Sequence, residues 1–267
     1  MSTDTAFAGS IPAIYDRYLG PLLFEPYAED LAERVAALSP ETILETAAGT
    51  GIVSKAIAQR LPGSRLTVTD LNPAMLDIAQ TRVSGEHVKF EPVDATSLPY
   101  RDGDFDAVVC QFGVMFFPDR LAAYREVRRV LQPGGAFLFN AWCPLEDNPL
   151  AKIVHESVAA QLPDDPPGFL KRTPYGHGSA DEIERDLTAA GFEDFEIERV
   201  EFPSRAPTAD YAGKGFALGS PLRMEIEQRV GERVEEVAEK ATGAVADRFG
   251  DGPVDSTMAA LVVTARS

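Results

Sequence analysis

The stretch ILETAAGTGIVS, residues 43–54, decides how this chain is read. An apolar run reaches an acid, Glu45, and then breaks into Ala47, Ala48, Gly49, Thr50 and Gly51. Apolar residues return at helical spacing, with Val53, Ile57 and Leu61 on one face. The pattern predicts a strand at 42–44, a glycine turn, and a helix over 52–61 stopped by Pro62 and Gly63. Such a strand–turn–helix unit suits a nucleotide-like ligand, because glycine accepts positive φ and lets a ligand approach the backbone.

The same alternation continues outward. Strands are predicted at 65–70, 88–94, 105–112 and 136–142, the fourth of the series nearly all apolar, as for a strand covered on both faces. Helices are predicted at 27–38, from Pro73 through Val83, and from Arg120 to Leu131, where QPGG at 132–135 ends the last. Right-handed βαβ units of this kind build an α/β fold with a doubly wound, mostly parallel sheet. Beyond residue 142 the regularity loosens. A helix is expected at 148–162. Another is expected at 179–192, with a capping box of Ser179 and Glu182 and with Gly191 past its end. A strand follows at 195–202 and a last one at 257–265, an expected antiparallel closing pair at one sheet edge. Between them lies a helical insertion, 203–252. Its apolar stripe runs from Leu222 through Ile226, Val230, Val234, Val237 and Ala241 to Val245. Glu225–Arg229 and Glu236–Lys240 read as pairs on the opposite, wet face.

Composition narrows the partners. The chain has 267 residues, 45% of them hydrophobic, so it has ample apolar side chains for a core. Its formal charge of −17 argues against a nucleic-acid partner. Arg125, Arg128 and Arg129, with Glu126 among them, read as a solvated helix face. Cys110 and Cys143 show no metal-ligand spacing and read as buried free thiols in a reducing compartment, so no metal is expected. MSTDTAFAGS at the start has no basic and apolar leader pattern, and no run approaches membrane-spanning length. A cytoplasmic protein is the expectation.

A ligand in this fold sits outside the carboxyl ends of the strands, where strand order reverses. GTGIVS nearly fits the dinucleotide pattern, with Ser54 in the third glycine's place and Asp70 about 20 residues on. Glu45 opposes that reading, because a carboxylate at the strand end is poorly placed beside a pyrophosphate. It suits a cationic group such as an ammonium. Asp70 ends the second strand and suits two ribose hydroxyls; Asp94 follows the third and suits an exocyclic adenine amine. Acids at successive strand ends, with no basic residue among them, describe a phosphate-free nucleoside with a cationic tail, S-adenosylmethionine.

On these residues the chain resembles the class I S-adenosylmethionine-dependent methyltransferases, in the branch related to ubiquinone/menaquinone C-methyltransferases. ETAAGTG matches the first motif, with Ala47 in place of a glycine; VDATSLPYRDGDFDAVVCQFGVMFFPD and EVRRVLQPGG match later ones. The likeness covers about residues 40–142 and implies a seven-stranded sheet, Rossmann-like, with the last strand antiparallel. It implies a cofactor site of Glu45, Ala47, Gly49, Gly51, Asp70, Leu71, Asp94, Ala95, Gln111 and Phe112. Tyr15 and Tyr18 of an N-terminal arm would add a lid whose rings face the sulfonium. Met115, Phe116 and Phe117 are candidates for the acceptor pocket's floor, and His177 is a weak candidate for a base. The implied parts are an arm or lid at 1–39, a cofactor-binding core at 40–142, a cap helix and completion of the core at 143–202, a helical cap insertion at 203–252, and a final strand at 253–267. The expected partner is a small, partly apolar methyl acceptor. Two other readings stay open: an NAD(P)-dependent oxidoreductase, although no tyrosine has a lysine four residues on, and a non-catalytic binding protein.

Overall fold

The computed structural model describes Gly9 and residues 11–267. Apart from Gly9, residues 1–10, which carry no leader pattern and open the expected arm, lie outside the described residues. Helices in chain order are α1 (Ile11–Ile14), α2 (Glu25–Leu38), α3 (Ile52–Arg60), α4 (Pro73–Arg82), α5 (Arg120–Val130) and α6 (Pro149–Gln161). They continue with α7 (Phe169–Arg172), α8 (Ala180–Ala190), α9 (Ala209–Leu218), α10 (Leu222–Val230) and α11 (Val234–Phe249). A π-helical segment, Tyr15–Phe24, joins α1 to α2. The strands are β1 (Thr42–Glu45), β2 (Arg65–Asp70), β3 (Val88–Pro92), β4 (Phe105–Gln111), β5 (Leu131–Trp142), β6 (Asp194–Ala206) and β7 (Val254–Arg266).

The strands form one seven-stranded sheet in the order β3-β2-β1-β4-β5-β7-β6. The pairs β1–β2, β1–β4, β2–β3 and β4–β5 are parallel, and β5–β7 is antiparallel. This is the doubly wound, mostly parallel Rossmann-like architecture expected from the alternation. The order reverses between β1 and β4, so the crevice opens at their carboxyl ends.

The chain folds as two compact units. A sheet unit holds residues 25–142, 178–200 and 260–267; a helical unit holds residues up to 24, 143–177 and 201–259. In the sheet unit, side chains alternate across β5. Ala136 and Leu138 join Leu31 and Val35 of α2 and Val53 and Ile57 of α3 in one cluster. Phe137 and Phe139 point the other way, against Tyr124 of α5. Asp106 ties the amino ends of the strands together. Its Oδ2 accepts from the N–H groups of Glu41 (2.9 Å) and Thr42 (2.7 Å) and from Thr42 Oγ1 (2.7 Å).

In the helical unit α11 packs on both α6 and α9. A Cβ on Gly213 of α9 would stand 2.4 Å from Thr242 Oγ1, so the two helices meet where a side chain is missing. The buried Glu225 accepts from the N–H groups of Gly168 (2.8 Å) and Phe169 (3.1 Å) and pairs with Arg172 at 2.8 Å.

Several local expectations need correction. The stripe from Leu222 to Val245 is two helices, broken at Gly231, whose φ is 59°. Glu225 is a buried tie to α7 rather than part of a wet face. Ser179 is the N-cap of α8, but its hydroxyl makes no capping bond; Gly191, at φ 94°, does end that helix. Nor are the arginines of α5 all solvated. Arg125 and Arg128 are exposed, Arg128 donating to the Gly191 carbonyl at 2.7 Å, but the half-buried Arg129 donates to the carbonyls of Leu98 (2.9 Å) and Tyr100 (2.7 Å), fastening the loop before β4. Among the described residues, no helix is long and apolar enough to cross a membrane.

Asp106→Ala removes a carboxylate that serves four donors, Gln132 Nε2 being the fourth, and should cost about 1.5–3 kcal/mol. Urea unfolding should show a lower midpoint at unchanged slope.

Candidate functional site

β1 ends in Glu45, β2 in Asp70 and β4 in Gln111, all at the edge where the order reverses. The loop after β1 is fastened to both neighbouring strands. Thr46 N donates to Val109 O and Ala48 N to Thr69 O, each at 2.9 Å. Between those ties the backbone is left-handed at Ala47 (φ 51°), Gly49 (57°) and Gly51 (79°). Alanine at φ 51° is strained, and Phe112, at φ 50° just past β4, is strained likewise. The two strained residues are neighbours: a Cβ on Gly113 would lie 2.5 Å from Ala47 Cβ.

The two glycines of the loop do different work. A Cβ on Gly51 would stand 2.8 Å from Ala79 Cβ, so this glycine lets α3 approach α4. A Cβ on Gly49 would meet nothing within 4 Å. There the backbone faces open space, the cradle a ligand needs.

Asp70 holds this cradle. Its Oδ2 accepts from Gly49 N and its Oδ1 from Asn72 N, both at 2.8 Å. Next to it Leu71 is 52% exposed, the one large apolar side chain so exposed among the described residues. An isolated apolar step beside a carboxylate matches a ligand with a flat apolar face and hydroxyls. Asp94 lies past the end of β3, exposed, with Oδ1 accepting from Thr96 N (2.8 Å) and Thr96 Oγ1 (2.7 Å); Ala95 beside it is buried.

Glu45 is fully buried and accepts a 2.5 Å hydrogen bond from the buried Ser54 hydroxyl of α3. Burial pushes its carboxyl up to about 8, the Ser54 bond opposes that, and the Asp70 charge adds to it. Burial also raises Asp70, against the two backbone bonds it accepts. Neither acid makes an ion pair among the described residues. Cys110 behind them is buried, with its thiol pushed up to about 12, hence neutral and inert.

The sheet unit thus brings together Glu45, Ala47, Gly49, Gly51, Asp70, Leu71, Gln111 and Phe112, with Asp94 and Ala95 on the next strand end. The Phe112 ring itself turns into the core, stacked on Trp142 at 3.8 Å with Tyr27 edge-on to it. Met115 is buried, and Phe116 and Phe117 are half-buried. Tyr15, Tyr18 and His177 belong to the helical unit. Tyr15 stacks on Phe24 at 4.9 Å and Tyr18 meets Tyr211 at 4.7 Å, so the two tyrosines take separate partners; His177 is buried. No group of acids, histidines and cysteines suited to a metal ion occurs among the described residues.

Sequence reasoning missed two buried polar groups. Ser54 stood only as a failed third glycine, although a serine between Val53 and Ala56 on an apolar helix face signals a buried partner. Asn140, in the apolar run AFLFNAW, is fully buried with neither amide atom hydrogen-bonded.

Comparison with known proteins agrees with this geometry. Residues 44–139 match the family described as "Methyltransferase domain". Demethylmenaquinone methyltransferase of Thermus thermophilus is 42% identical over 110 residues, which are 40% of this chain and 49% of that protein. The enzyme of the same name from Deinococcus radiodurans is 36% identical over 115 residues, 42% of this chain and 48% of that one. The chain therefore spans about half the length of the curated relatives it matches. Among solved structures, a phosphoethanolamine N-methyltransferase of Haemonchus contortus in complex with S-adenosyl-L-methionine shares the fold. Its TM-score is 0.62 at 16% identity, over 100% of this chain and 60% of that one. The YcgJ protein of Bacillus subtilis gives 0.59 at 21% identity, over 91% and 98%.

Two outcomes follow from the acids. Asp70→Ala loses two loop-tying bonds. It should lower the ligand-free melting temperature by about 3–6 °C. Glu45 binds its proton more tightly folded than unfolded, so its contribution is present below the ordinary carboxylate range and lost as pH rises toward about 8. Scanning calorimetry should show the ligand-free melting temperature falling over that window, and Glu45→Gln should flatten the fall.

Proposed function

We propose that this protein is an S-adenosylmethionine-dependent methyltransferase acting on a small, partly apolar molecule. The observation that carries the reading is the pair Glu45 and Asp70, carboxylates at neighbouring strand ends with no cation paired to either among the described residues. A dinucleotide would bring phosphates beside Glu45, although it could use Asp70 for its ribose. A nucleoside with a cationic tail brings the missing charge. The near-match to the dinucleotide pattern also fails at its third place, where Ser54 donates to Glu45.

S-adenosylmethionine supplies, when bound, a methyl group activated by a sulfonium. The chain's own residues bind and orient it. Asp70, whose oxygens each keep accepting capacity beyond one backbone N–H, takes the ribose hydroxyls. Leu71 covers one face of the base and Asp94 takes its exocyclic amine. The left-handed turn from Ala47 to Gly51, with Gln111 and the Phe112 backbone opposite, receives the amino-acid tail, and Glu45 takes its ammonium.

Methyl transfer by in-line displacement needs positioning above all. That task falls to the acceptor pocket, which we assign to the helical unit, where α6 and α11 pack together as a cap. Tyr15 and Tyr18 of its N-terminal segment serve as a lid. A base is needed only where the acceptor loses a proton, and His177 is the side chain to test for it. The names of the curated relatives make a reduced demethylmenaquinone the first acceptor to try. The net charge of −17 argues against a nucleic-acid acceptor, and the unbridged cysteines fit the cytoplasm.

Titration calorimetry should show S-adenosylmethionine and S-adenosylhomocysteine binding and negligible NAD(H) or NADP(H) affinity. Tight nicotinamide binding without the former would sink the reading. Incubation with the methyl-labelled donor and the reduced quinone should then yield labelled product. Cofactor binding with no transfer to any tested hydroquinone would remove that acceptor class.

A further inference from the structure

We propose that Ser54 is a positioning residue for cofactor binding, acting through Glu45: its buried hydroxyl fixes the Glu45 carboxyl and eases its ionisation when the ligand's ammonium arrives. The inference rests on the cofactor reading above and concerns a residue that touches no ligand itself.

Both side chains are sealed from solvent, Ser54 at 0% and Glu45 at 1% exposure. The hydroxyl donates to Glu45 Oε2 at 2.5 Å, a short, charge-assisted geometry. The titratable groups that act on this carboxylate are unhelpful to its charge. Asp70 of β2 repels it, and Cys110 of β4 is a neutral buried thiol. No lysine, arginine or histidine pairs with it among the described residues. Of the groups acting on Glu45, Ser54 is the one that favours its charged form before a cation arrives.

The consequence is a proton linkage. In the ligand-free site the Glu45 carboxyl is largely protonated at neutral pH, because burial lifts it to about 8. An ammonium attracts the ionised form, so binding expels the proton. The Ser54 bond sets how hard that expulsion is. Without the hydroxyl the carboxyl moves further up, and at neutral pH less of the protein is ready to bind. Above the raised value both proteins carry the charge, and the difference disappears.

The test is S-adenosylhomocysteine affinity against pH for the full chain and for Ser54→Ala and Ser54→Thr. Ser54→Ala should bind roughly tenfold more weakly at neutral pH, recover toward wild-type affinity at alkaline pH, and so shift its binding midpoint upward. Ser54→Thr keeps the hydroxyl and should follow wild type. Titration of the ligand's own amine is common to all three proteins and cancels in the comparison. Wild-type calorimetry at neutral pH, in buffers of different ionisation enthalpy, should also show protons released on binding, a readout independent of how the variant folds. A loss of affinity equal at every pH, an unchanged affinity, or binding without proton release overturns the proposal while leaving the cofactor reading in place. Failure of the wild type to bind S-adenosylhomocysteine overturns both.

Discussion

The carboxylate of Asp70 is where the sheet is converted into a site. One oxygen holds Gly49 N and the other holds Asn72 N, so a single side chain fixes both the left-handed loop after β1 and the entry to α4. Everything proposed for the ligand assumes that loop in that shape. Its neighbours support the assumption in kind: Ala48 N and Thr46 N reach to the flanking strands, and Gly51 lets α3 settle against α4. The residue proposed to bind the ligand is thus also a structural tie, and deleting the side chain tests both at once.

The other acid is arranged in the opposite sense. Glu45 is given one hydroxyl, no cation and a second carboxylate for company. Such a buried group is costly to ionise unless something positive completes it. On the proposed function, such a site selects by charge before it selects by shape.

Much of this was legible in the chain. The periodic switch between apolar strands and 3.6-residue faces placed β2 at its observed bounds and α3, α4 and α6 within a residue or two, because both faces of a central sheet impose an unbroken pattern. The acids at the ends of β1 and β2 were visible because they interrupt that pattern. What stayed hidden depends on distant partners. Glu225 looked like half of a surface pair until the N-terminus of α7 arrived beside it. Arg129 looked solvated until the loop before β4 supplied carbonyls. The break at Gly231 was masked by an apolar stripe that keeps its spacing across the turn. Ser54 was read by its place in a motif, when its burial beside Glu45 was the physical fact that mattered.

β7 lies between β5 and β6, inside the sheet, although it is formed by residues 254–266. On a ribosome the strand needed to cover the flank of β5 is therefore made after everything else in the sheet. Until it emerges, β5 presents an open edge carrying Phe137, Leu138 and Phe139, the sort of surface that recruits foreign strands. Neither compact unit is a continuous stretch, so neither is complete before β7 is available. The nascent chain must keep the left-handed loop after β1 waiting on a half-built scaffold until that last strand finds its slot.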